Sequence, residues 1–114
     1  MSYDVSFKVK TKEADRYREL EDPELDTWIN YTSNTAKIIE KVCGSFPSKW
    51  DDKKASELIP ILEKGISELT EHPEKYKIYE PRNGWGNIPG TRNFLGDILN
   101  VCRKHPEAVV CVDC

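Results

Sequence analysis

No run in this 114-residue chain approaches the roughly 18 consecutive apolar residues that a membrane-crossing helix needs, and the opening MSYDVSFKVKTKEADRY lacks the apolar core of a secretion signal. The expected setting is therefore the cytoplasm, with no membrane partner. There the four cysteines (Cys43, Cys102, Cys111 and Cys114) would be kept reduced, which argues against a disulfide framework and leaves thiols or metal ligands. Basic residues are not in excess either. Lys and Arg number 17 against 20 Asp and Glu, for a net charge of −3, so direct nucleic-acid binding through a broad basic surface is not expected and a basic partner is. Histidine is scarce. His72 and His105 each precede a proline at an expected helix boundary, a position that suits a cap or a last-turn cation better than a catalytic base. The chain holds no nucleophile elbow, phosphate-cradling glycine frame, His-Glu-x-x-His pattern, internal repeat or low-complexity segment. No catalytic residues are assigned, and an enzyme is not expected. At this length, one domain spanning residues 1–114 is expected.

What is present reads as strand, helices, strand. Tyr3, Val5, Phe7 and Val9 alternate with polar residues, the period of a strand with one buried face. A short strand at Tyr17 to Leu20 and another at Thr27 to Tyr31 flank a turn at Pro23. Ala36, Ile39, Val42 and Cys43 then fall three and four apart, preceded by the capping side chains of Thr32, Ser33 and Asn34 and stopped at Gly44. A longer helix carries the stripe Ala55, Leu58, Ile59, Leu62, Ile66 and Leu69. Asp51 or Asp52 is its expected cap, and Pro60 implies a kink or a late start. His72-Pro73-Glu74 resembles a restart with proline in the first position. After the loop PRNGWGNIPG, a final helix from about Thr91 to Lys104 turns Phe94, Leu95, Ile98, Val101 and Cys102 inward. Ala108 to Val112 closes the chain as a β-branched run. The economical architecture is α+β: a small sheet including the N- and C-terminal strands, with about three helices on one face and strand direction left open. Trp85 is expected to be buried on the final helix near Phe94 and Ile98, fixing a loop otherwise rich in glycine and proline; its removal would then cost about 3 to 5 kcal/mol.

Two clusters are candidate sites. Cys102, His105, Cys111 and Cys114 form two pairs with zinc-like internal spacing, three thiolates and one imidazole, a set that suits one tetrahedral structural zinc. Geometry is less favourable. Five residues is a short span between pairs, Cys111 and Cys114 face opposite ways on a regular strand, and Cys102 on an inner helix face behaves as a small hydrophobe. Zinc, a redox Cys-x-x-Cys and unmetallated thiols all stay open. The second cluster lies between Glu13 and Asp26, where seven acids meet two bases. Within it Glu19, Glu21, Asp22, Glu24 and Asp26 have no base among them, so they repel one another and would be relieved by a Lys/Arg groove. Reversing Glu21, Asp22 and Glu24 to lysine is expected to leave the fold intact.

TWINYTSNTAKIIEKV and NGWGNIPGTRNFLGDILNVCRKHPEAVVCVD are similar to two signature regions of a group of small uncharacterised proteins carried by bacteria and their phages. There a strand end precedes a helix, and an Asn-Gly-Trp-Gly loop precedes the last helix and strand. The resemblance covers about four-fifths of the chain, with Asn83-Gly84-Trp85-Gly86 as its most specific element; the terminal Cys-Val-Asp-Cys departs from it. It implies a lineage and no activity. Joined to the small size and the acidic segment, it suggests a phage-type binding protein of the anti-CRISPR (anti-defence) kind. Such a protein would inhibit a host nucleic-acid-targeting effector, an RNA-guided nuclease for example, by occupying a basic surface. The alternative is a zinc-stabilised structural or accessory protein of phage or host with no inhibitory role.

Overall fold

The computed structural model describes residues 2–11 and 16–113. Strand β1 (Ser2–Lys10) places Tyr3, Val5 and Phe7 in the core, as their alternation requires. It pairs antiparallel with β2 (Tyr17–Glu19), β3 (Ile29–Thr32) and β4 (Val109–Asp113). Val5 is opposite both Ile29 and Val112, so β3 and β4 take opposite edges of β1. Lys8 is likewise shared by Glu19 and Val109, which puts β2 on the same edge as β3. The sheet is thus three strands wide with β1 central, and the direction left open by the sequence is antiparallel.

The helices α1 (Ala36–Cys43), α2 (Ala55–Glu71) and α3 (Ile88–Lys104) cover one face of this sheet. Val5, Phe7, Ile38, Leu58, Leu62, Leu95, Ile98 and Val110 are almost wholly withdrawn from water between the two layers. Trp50 is the fully buried tryptophan, its indole N–H donated to Ser45 Oγ at 3.0 Å. The even positions of β1 point the other way. Asp4, Ser6 and Lys8, with Asn30 and Cys111 opposite them, make a polar face turned away from the helices.

Three local expectations are revised. Asp51 and Asp52 do not cap α2. Lys54 stands at its N-cap, and the Glu57 carboxylate accepts the Lys54 N–H at 3.2 Å. The two aspartates instead serve the outer edge of β4: Asp51 Oδ1 accepts the Val112 N–H, the Asp52 N–H donates to the Val110 carbonyl, and the Val110 N–H donates to Lys53, each at 2.8 Å. An edge strand that would otherwise offer free backbone groups is covered. Second, α2 runs unbroken through Pro60 from Ala55, so no late start occurs; the proline ring is exposed. Third, α3 begins at Ile88, three residues before Thr91. Asn87 Oδ1 caps the Gly90 N–H at 2.7 Å, and Pro89 falls in the first turn, where a missing donor costs nothing. The restart at Pro73 is a single tight turn, Pro73–Lys75.

Candidate functional site

The acidic segment is not a free cluster. Asp22 has only 5% of its side chain exposed, and it accepts from His105 Nε2 at 2.8 Å, Lys104 Nζ at 2.9 Å and the Glu24 N–H at 2.9 Å. His105, Lys104 and this N–H, in that order, hold its carboxyl well below the usual carboxylate range. Lys104 and His105 sit at the C-terminal end of α3, where the helix dipole favours the positive charge of Lys104. Asp22 therefore pins the 20–28 loop to α3, so it is not the freely exposed position on which the expectation of a harmless reversal rests. Asp26 Oδ1 accepts the Trp28 N–H at 3.1 Å, and Glu24 reaches Lys104 at 3.1 Å. Glu19, Glu21, Glu24 and Asp26 remain exposed.

The cysteine cluster is not gathered among the described residues, where no group of three or more His, Cys, Asp or Glu is placed to hold a metal. Cys102 is fully buried on the inner face of α3, and its thiol is pushed up to about 12 by that burial. Cys111 projects from β4 opposite Ser6 on the polar sheet face, while His105 is held by Asp22. Cys114 lies outside the described residues.

Trp85 corrects the sequence reading most directly: it is 68% exposed instead of packed on Phe94 and Ile98. The loop needs no indole to hold it, because other groups do the ordering. Asn83 Oδ1 accepts the Trp85 N–H at 2.9 Å, and Glu80 Oε2 accepts the Ile88 N–H at 2.9 Å. The Tyr31 hydroxyl accepts the Asn87 N–H at 3.2 Å and lies 3.3 Å from the Asn87 carbonyl. The Tyr31 ring in turn stacks on Phe94, with centroids 5.3 Å apart, so Tyr31 occupies the place expected of Trp85. Gly86, at φ +103°, lies so close to Thr32 and Thr35 that a Cβ there would stand 2.8 and 2.5 Å from their methyl groups. The result is a backbone fixed at several points with its one large side chain left in water.

Between this loop and the end of β3 lies an open cleft of about 630 Å³. Trp85 forms one wall; Ser2, Asn30 and Thr32 of the sheet, Asn34 and Asn83 supply polar groups. Asn30 Nδ2 donates to Asp4 Oδ1 at 2.8 Å. Thr32 Oγ1 accepts the Asn34 N–H at 3.3 Å. Among the described residues, the one titratable group lining the cleft is the Tyr31 hydroxyl, already engaged by Asn87. The arrangement offers a flat aromatic surface beside carboxamides and hydroxyls, which is equipment for binding. Sequence reasoning found Trp85 but missed Asn30 and Asn34. The signal was available for Asn30, which alternates with the inward Ile29 and Tyr31 and so must face outward. Among the described residues, no helix is long and apolar enough to cross a membrane. No family model, curated protein or solved structure matches the chain.

Proposed function

We propose that the chain is a non-catalytic binding protein that engages its partner through the Trp85 cleft. The observation that carries this reading is a tryptophan exposed to 68% on a loop whose backbone is fixed in the free molecule. Tryptophan is the residue type most enriched among contacts that dominate binding energy, and a loop already ordered has little conformational freedom to lose on association. With about 250 Å² for a tryptophan side chain, roughly 170 Å² is available for burial, equivalent to at most about 4 kcal/mol.

A second reading keeps the basic partner: inhibition of a host defence effector of the RNA-guided kind by occupation of its basic surface, in the anti-CRISPR manner. Its support is the continued exposure of Glu19, Glu21, Glu24 and Asp26, together with the resemblance to small phage proteins. The two readings separate in one experiment. Tagged wild type, Trp85→Ala and Glu21→Lys/Glu24→Lys chains are compared for retention of whatever the wild type recovers from a bacterial lysate. The cleft reading expects loss in Trp85→Ala with weak salt dependence. The inhibitor reading expects loss in the charge-reversed chain, with binding that falls steeply as salt rises. Retention unchanged in Trp85→Ala would overturn the first.

A further inference from the structure

We infer that the Trp85 cleft takes a neutral, polyhydroxylated ligand: a carbohydrate. The inference rests on the cleft being the binding site and adds the class of its occupant. Charge narrows the choice first. Nearly a third of this chain is Asp, Glu, Lys or Arg, yet none of the nine described residues lining the cleft is charged. A nucleic-acid strand needs lysine or arginine along its phosphates, and a phosphorylated peptide needs an arginine cluster. A basic peptide would need carboxylates. The described lining residues offer none of these.

The groups that are present match hydroxyls. Each sugar hydroxyl both donates and accepts, so its site needs both functions side by side, and carboxamides provide them in one plane. Their orientation here is set by internal bonds. The Asp4 carboxylate can only accept, so it engages Asn30 Nδ2 and leaves Asn30 Oδ1 as the acceptor of that carboxamide. Asn83 uses its Oδ1 on the Trp85 N–H and so presents its Nδ2 as a donor. Thr32 Oγ1 accepts from Asn34 and keeps its own proton to give. The indole face of Trp85 supplies a flat apolar platform for the C–H face of a pyranose ring. A cleft of about 630 Å³ has room for a short oligosaccharide and falls within the size range of small-molecule sites.

A proline-rich segment is the other neutral candidate, and the cleft fits it less well. Such peptides lie in grooves lined by several rings. Here Trp85 is the exposed ring, since Tyr31 is turned inward onto Phe94 and Trp28 lies outside the lining.

The test is a titration of the full chain by two-dimensional amide NMR with neutral oligosaccharides: maltohexaose, cellohexaose, chitohexaose and xylohexaose. The expected result is saturable movement of the Trp85 indole signal and of the Gly84 and Gly86 amides with at least one of them, at millimolar concentration or below, insensitive to added salt. Affinity should fall by roughly tenfold or more in Trp85→Ala. It should fall several-fold in Asn34→Ala and stay unchanged in Trp28→Phe. The proposal is overturned if no saccharide of the panel moves these signals, if the movement survives Trp85→Ala, or if a proline-rich peptide or oligo-dT moves them instead. Should the saccharides fail while Trp85→Ala still loses its lysate partner, the ligand class falls and the cleft reading stands. Should both fail, neither stands.

Discussion

Gly86→Ala probes whether the Trp85 loop is truly held in place. Two costs add at this position. A residue with a Cβ at φ +103° loses about 1 to 2 kcal/mol to backbone crowding. The new methyl would also stand 2.5 Å from Thr35 Cγ2 and 2.8 Å from Thr32 Cγ2, an overpacking that costs about 1 to 3 kcal/mol more. The expected loss is thus about 2 to 5 kcal/mol. Gly84 is the internal control, because it shares the left-handed backbone, at φ +78°, but a Cβ there meets nothing within 4 Å. Gly84→Ala should lose the backbone part alone, about 1 to 2 kcal/mol. Urea unfolding followed by circular dichroism, with the slope unchanged between variants, measures both. Thr35→Ser removes the nearer methyl and should restore part of the excess in Gly86→Ala. If the two alanine variants agree within about 0.5 kcal/mol, the loop yields instead of being held, and the reasoning fails.

Trp85→Ala should change stability by no more than about 0.5 kcal/mol, whereas Trp50→Ala should cost about 3 to 5, because one ring is in water and the other in the core; equal losses in urea unfolding would contradict the placement of both. Asp22 supplies the pH dependence. A carboxyl held below its ordinary 3.8 by His105 and Lys104 adds stability above about pH 4 that is lost as pH falls toward its folded value. Asp22→Asn should therefore be less stable than wild type at neutral pH and converge with it in acid; parallel pH profiles would refute the network. Burial pushes the Cys43 and Cys102 thiols up to about 12, so a thiol reagent at neutral pH should label neither in the native chain. Peptide mapping that finds either labelled as fast as Cys111 would show the core to be open.

Regular patterns were the legible part of the sequence. The alternation of Tyr3, Val5 and Phe7 and the stripe of Leu58, Leu62 and Leu69 each have one solution that buries them, and the folded chain adopts it. Long-range polar pairing was not legible. Asp22 and His105 are 83 residues apart, so nothing local distinguishes that aspartate from its exposed neighbours. Trp85 was misread for a related reason. A loop rich in glycine and proline suggests an aromatic plug, but the long-range part of its ordering comes from Tyr31, 56 residues away from the Asn87 that it holds. Helix starts shifted because capping depends on the backbone angle that tertiary packing selects, as with Lys54 in place of Asp51 and Asn87 ahead of Thr91.

The claim that an exposed indole is presented by a preordered loop is tested most directly by backbone nitrogen relaxation on the free protein. Order parameters for Gly84 to Asn87 should match those of the neighbouring α3 helix, near about 0.85, while the Trp85 ring stays open to a soluble quencher. Values below about 0.6 across these residues, or a Trp85 ring shielded from the quencher, would contradict it.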